Sequence, residues 1–208
     1  MSDTVTEREP HHPPRVWTSR HTFVSVSDTG VWVVVLAAGA SSRFGSPKQR
    51  LLLEPVLERV RASRAVDGVV VVTGAHELEA TAATVPCPEW ERGPGASLRC
   101  GLAALPNEAQ AAVVVLGDGP DLSPEAIDRV VARWREDRPP VVAATYGGTR
   151  LHPVLLDRRA WPEVPDEGAR TLDAVPVSCD DLGPPGDVDH ADDVPDRLKP
   201  KPWSSPDP

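Results

Sequence analysis

Lysine is scarce in this chain. Of 22 basic residues only Lys48, Lys199 and Lys201 are lysines, and arginine supplies the rest. One of the three stands inside a glycine-rich turn, which singles it out. Positive charge is also in the minority, with 31 acidic residues and a net charge of −9. That balance excludes a broad surface for nucleic acid or anionic membrane, so the basic residues that matter act locally. Cysteine is limited to Cys87, Cys100 and Cys179. No CxxC and no Cys/His cluster is present, which argues against structural zinc and reads as reduced thiols in a cytoplasmic protein. The polar N-terminus lacks the apolar core of a secretory signal, and no apolar run has membrane-spanning length. Without GxSxG or a Ser/His/Asp pattern, acyl-transfer hydrolysis finds no support.

What the chain does contain fits one α/β domain with tails. It has 208 residues, 40% of them hydrophobic, enough for a sizeable core. Residues 1–30 read as a polar, poorly ordered extension, 31–194 as the folded domain and 195–208 as a Pro-rich tail. Within the domain, strand and helix signals alternate. Strands are expected at 31–36, 69–73, 112–116, 141–146 and 152–156, with a weaker one at 175–178. Helices are expected at 55–65 with Pro55 in the first position, at 76–83 and at 96–105. A further helix runs from Pro124 to about Arg135 and is capped by Ser123. The alternation predicts a doubly wound, mostly parallel (mixed) sheet flanked by helices, Rossmann-like, with ligands at the carboxyl ends of the strands.

The most informative segment follows the first strand: residues 36–48, LAAGASSRFGSPK. Small residues let backbone amides approach an anion, and Arg43 and Lys48 add charge for phosphate oxygens. A Walker A loop is excluded because Gly45 is followed by Ser46 and Pro47 before Lys48, and GxGxxG is absent. The pattern resembles the signature of the MobA-like nucleotidyltransferases and is most similar to the molybdenum cofactor cytidylyltransferases. By that resemblance Leu36, Ala37, Ala38 and Gly39 hold the nucleotide, and Arg43 and Lys48 stabilise its phosphates.

Further segments extend the resemblance. Asp118, in Gly117-Asp118-Gly119-Pro120 after an apolar strand, is placed as a carboxylate suited to Mg²⁺, which prefers one or two carboxylates plus phosphate oxygens. The family has Gln where Gly119 stands. In the segment 90–102, Ser97 lies near a helix start and helps seat the nucleotide. The acidic run 187–193 is similar to the segment that completes the metal site, with Asp189 the chosen ligand and Asp187 its substitute. His152 falls in an HP pair whose preceding family glycine is Leu151, an exchange expected to alter the pocket. It is assigned to the acceptor substrate. Arg170 either holds the acceptor's phosphate or pairs with Asp166.

The resemblance implies a Mg²⁺-dependent transfer of a nucleoside monophosphate to a phosphorylated acceptor, with pyrophosphate released. The implied acceptor is a molybdopterin-type cofactor, with a molybdoenzyme as a further partner. Ala38, where guanylyl-transferring relatives generally carry glycine, argues for CTP over GTP by narrowing the space for the base. Two alternatives remain open: transfer of another nucleotide or to another phosphate acceptor, and a non-catalytic nucleotide- or cofactor-binding chaperone.

Overall fold

A computed structural model describes residues 30–199, so the N-terminal extension and the last nine residues lie outside the described part. Seven strands form one mixed sheet in the order β3-β2-β1-β4-β6-β5-β7. They are β1 (Val31–Leu36), β2 (Gly68–Thr73), β3 (Ala83–Pro86), β4 (Ala111–Leu116), β5 (Val141–Tyr146), β6 (Thr149–Asp157) and β7 (Val175–Ser178). β1 pairs in parallel with β2 on one side and β4 on the other. β6 runs antiparallel to both β4 and β5. The chain winds outward from β1 to β3 and then returns to place β4 on the other side of β1. This reversal creates a crevice at the carboxyl ends of β1 and β4, where open α/β sheets bind ligands.

Three helices cover the sheet: α1 (Gln49–Ala62), α2 (Pro94–Ala103) and α3 (Pro124–Asp137). Alternate side chains of β1 serve opposite faces, as strand geometry requires. Val31, Val33 and Val35 join Leu53, Val56 and Leu57 of α1 and Ile127, Val130 and Trp134 of α3 in one apolar cluster. Val34 joins Leu98 and Leu102 of α2 on the other face. The fully buried Trp134 donates its indole N–H to Asp157 Oδ2 at 3.0 Å, fastening α3 to the end of β6.

Several sequence expectations need correction. α1 begins at Gln49, and Pro55 lies inside it. An interior proline removes a helix hydrogen bond. The helix continues because Gln49, Leu52, Leu53, Val56, Leu57 and Val60 form one unbroken buried stripe through that position. Residues 76–82 form no helix. There the Thr81 amide and hydroxyl donate to the Glu54 carboxylate at 2.8 and 2.7 Å, which fixes the segment against α1 before β3 begins. Ser123 occupies the cap position of α3, but its side chain makes no capping bond.

Cys87 and Cys100 form a disulfide, whereas Cys179 is free and buried. Packing of α2 on the sheet brings this pair together from 13 residues apart, a spacing without a recognisable motif. Cys87 and Cys100 are therefore not the reduced thiols that the sequence suggested. Of the Pro-rich tail, residues 195–199 are described and lie against the domain. Leu198 packs against the small cluster of Leu52, Val188 and Val194, and Arg197 donates to the Pro120 carbonyl at 3.3 Å. Among the described residues no helix is long and apolar enough to cross a membrane.

Candidate active site

The turn after β1 is bonded asymmetrically. Its carbonyls are all engaged: Ala38 O accepts from the Ala75 amide at 3.0 Å, Gly39 O from Gln49 Nε2 at 2.9 Å, and Ser41 O from the Phe44 amide at 3.0 Å. Ala40 O lies 3.0 Å from His76 Nε2. The amides of residues 38–43, by contrast, donate to no other group among the described residues. A run of N–H groups without a protein partner in a small-residue turn is the kind of feature that can receive an anion. Leu36 and Gly39 line the adjoining cleft, which measures about 240 Å³. Ala37 and Ala38 do not. Their methyls are buried in opposite core clusters, so both contribute through backbone alone. The Ala38 methyl, expected beside a base, packs in the cluster that faces α2 and is not among the residues lining this cleft.

Across the cleft the charged residues converge. Lys48, with its side chain only 11% exposed, places Nζ 2.7 Å from Asp118 Oδ2 and 3.4 Å from Asp189 Oδ1. The same ammonium donates to the Val188 carbonyl at 2.7 Å. Arg43, on the open side, pairs with Asp189 Oδ2 at 2.9 Å. The segment carrying Asp189 is laid along the Asp118 turn by two backbone bonds, Val188 N to Asp118 O at 3.2 Å and Asp121 N to Pro185 O at 2.9 Å. Residues 141 apart in sequence, Lys48 and Asp189, thus share one ion cluster. Asp187 is solvent-exposed as a residue. Its carboxyl is nonetheless raised above the usual range, first by partial desolvation and then by the charges of Asp118 and Asp189.

The fit of a divalent cation rests on one atom. Asp118 Oδ1 is buried with no hydrogen-bond partner, and an orphaned carboxylate oxygen is costly unless a cation or donor meets it. Among the described residues no group of three or more His, Cys, Asp or Glu is arranged to hold a metal by itself. Asp118 and Asp189 therefore suit an ion whose shell is completed by phosphate oxygens and water, which is the habit of Mg²⁺.

Three residues singled out in the sequence lie outside this cleft. Ser97 is buried within α2. Arg170 is exposed in a short 3₁₀ turn at Ala169–Thr171. It does not pair with Asp166, whose carboxylate is held by Arg92 and Arg99. His152 lines a separate hollow of about 10 Å³ behind the Asp118 turn, with Asp187, Gly119 and Pro185. Burial pushes its imidazole down to about 4; Asp118 opposes the shift and Arg150 adds to it. Gly119 stands where the family has Gln; a Cβ there would lie 3.3 Å from the Pro185 carbonyl oxygen, a tight approach that requires the 185 segment to yield slightly. Leu151 packs on the core, has no positive φ and is not among the residues lining this cleft. Gln49, which lines the cleft with Ser41, was not singled out in the sequence, because its role depends on a contact between loop and helix.

The profile of the MobA-like NTP transferase domain matches residues 33–174, which include the turn, Lys48 and Asp118. The chain belongs to the MobA-like NTP transferase family. It is similar to 2-C-methyl-D-erythritol 4-phosphate cytidylyltransferase from Stenotrophomonas maltophilia (strain K279a), at 33% identity over 131 residues, 51% of this chain and 53% of that protein. It spans about half the length of that curated relative. A solved homolog of Mycobacterium tuberculosis rv0371c from Mycobacterium sp. strain JC1 superposes with a TM-score of 0.66 at 25% identity, covering 79% of this chain and 93% of that one. Rv0371C from Mycobacterium tuberculosis H37Rv, solved as a complex with manganese, gives a TM-score of 0.58 at 25% identity and covers 81% and 97%. The two solved structures share this chain's fold, a single mixed sheet flanked by helices.

Proposed function

We propose that this chain transfers a nucleoside monophosphate from CTP to a phosphorylated acceptor and releases pyrophosphate. The observation that carries the reading is the meeting of two features in one cleft, a nest of free amides and a lysine bridging two carboxylates, one of which has an orphaned buried oxygen. In the reaction an acceptor phosphate oxygen attacks the α-phosphorus. A new P–O–P bond forms, the bond to the bridging oxygen of the β-phosphate breaks, and pyrophosphate leaves with that electron pair. Such transfer needs in-line positioning and charge neutralisation rather than covalent help from the protein. The amides of residues 38–43 cradle phosphate oxygens. Lys48 and Arg43 leave their carboxylate partners in part and stabilise the charge that builds on the leaving group. Asp118 and Asp189 would hold Mg²⁺, which supplies charge neutralisation and orientation of the triphosphate. The manganese complex of Rv0371C supports a divalent ion in this family.

CTP is favoured by the name of the curated relative, a cytidylyltransferase, and by the resemblance of the signature turn, no longer by contact with Ala38. The acceptor implied by that resemblance is molybdopterin-bound molybdenum, and the product would then pass to a molybdoenzyme. Ser97, His152 and Arg170, which do not line this cleft, keep their parts toward nucleotide and acceptor on the resemblance alone. A second reading has one observation in its favour: the curated relative acts, by its name, on an alcohol phosphate. The deciding experiment follows Mg²⁺-dependent pyrophosphate release with each of four nucleoside triphosphates and both acceptor classes. The expected result is release with CTP and the molybdopterin acceptor. Release with the alcohol phosphate alone selects the second reading. Equal or faster release with GTP removes the cytidylyl assignment. Tight nucleotide binding without release in any combination would leave a binding chaperone.

A further inference from the structure

Gln49 is the first residue of α1 and is only 4% exposed. Both ends of its carboxamide are engaged. Nε2 donates to Gly39 O at 2.9 Å, and Oε1 accepts from Ser41 Oγ at 2.7 Å. The two contacts flank Ala40, so a single side chain grips the turn on both sides. Ser41 sits at φ 54°, a left-handed conformation that non-glycine residues adopt only with local support. The hydroxyl bond to Gln49 supplies it. The neighbouring carbonyls of Ala38 and Ala40 are held by Ala75 N and His76 Nε2. Every carbonyl from 38 to 41 is thereby tied, and the amides of residues 38–43 are left free together.

We infer that Gln49 is a positioning residue that sets the phosphate-binding shape of this turn; the inference rests on the triphosphate-donor reading above. The chemistry demands glutamine. The position must donate on one side and accept on the other, and it must carry no charge beside a polyanion. Glutamate cannot donate to Gly39 O and would repel phosphate. Methionine keeps the length and volume but makes neither bond. Without the donor, the Gly39 carbonyl is free to turn toward the cleft, where it would oppose a phosphate oxygen. Without the acceptor, Ser41 loses the bond that supports its left-handed backbone.

The test compares wild type with Gln49→Met and Gln49→Glu. Calorimetry measures binding of two probes, CTP and inorganic tripolyphosphate, each with Mg²⁺, and steady-state assays give KM and kcat. Two lost hydrogen bonds at about 1 kcal/mol each correspond to a fall in affinity of about tenfold or more. The expected result is a matching fall for CTP and for tripolyphosphate, a KM raised by the same factor and a kcat at saturation within about threefold. Thermal melting without ligand reports the fold, and either variant suffices if the other does not fold. Unchanged tripolyphosphate affinity in a folded variant overturns the inference, as does a loss in kcat with KM unchanged. If wild type itself binds neither probe, the donor reading fails first, and that outcome is distinct from failure of the role of Gln49.

Discussion

Lys48 has three acceptors within reach, one on Asp118, one on Asp189 and the Val188 carbonyl. Its charge is therefore already balanced before a nucleotide arrives, and its added value lies where phosphate charge grows. Lys48→Ala is expected to cut the chemical step by about 10²–10³-fold, in line with removal of a strong electrostatic donor, with nucleotide affinity changed far less. Pre-steady-state kinetics separates the two, and near-normal turnover would demote Lys48 to a structural ion pair. His152 makes a different prediction. Its folded pKa of about 4 lies below the ordinary 6.5, so the unfolded chain takes up the proton first. The stability it contributes is present above pH 6.5 and is lost as pH falls toward about 4. In His152→Gln this acid-linked loss should shrink by about 2–3 kcal/mol, read from urea midpoints at pH 7 and pH 4.5. Parallel curves for the two proteins would contradict the assignment. At this scale Arg43, Lys48 and Asp118 were legible because charged residues among small and apolar ones at strand ends are conspicuous. Gln49 was not, since a glutamine at a helix start looks like any surface residue until the loop it grips is placed. The supposed pairing of Arg170 with Asp166 failed because two other arginines, distant in sequence, reach that carboxylate first.

The helix α2 and the turn before it are positioned by close backbone contacts as well as by their side chains. Gly93 adopts φ 129° and Gly95 lies so close to the 165–166 segment that a Cβ would collide with the Pro165 carbonyl oxygen. The Gly95 amide donates to Asp166 O at 2.9 Å. Two motifs recognised separately in the sequence are thus one docking joint. Gly95→Ala should cost about 1–3 kcal/mol, the usual range for forced overpacking, and lower the denaturation midpoint; an unchanged midpoint would show that the joint yields freely. Element identity was readable where the period was clear, as in β1, β4 and α3. Two cases were not. Pro55 looked like a helix start because local propensity favours that position, yet the buried stripe from Gln49 to Val60 carries the helix through it. The stretch 76–82 looked helical, but its polar groups bond to α1 instead of to one another. Neither outcome is decided by local sequence, because each depends on packing between elements.

For the whole molecule, the order of strands does the functional placing. With β4 returned to the far side of β1, the turn after β1 and the Asp118 turn become neighbours, joined by Gly117 N to Leu36 O at 2.9 Å. The 187–189 segment then closes the cleft from a third direction. Alternation of strands and helices foretold such a sheet. It did not reveal the antiparallel β6 or the way the C-terminal segment lies across the site, since both depend on long-range pairing. The measurement that bears most directly on the central claim is Mg²⁺-dependent pyrophosphate release by Asp118→Asn beside wild type, titrated with the metal, with circular dichroism to verify folding. Asparagine keeps the shape and one oxygen but removes the charge that a hard, strongly hydrated cation requires. The account predicts a folded protein with release nearly abolished and a raised Mg²⁺ requirement for any residue of activity. A folded variant with the wild-type rate and unchanged metal dependence would contradict it.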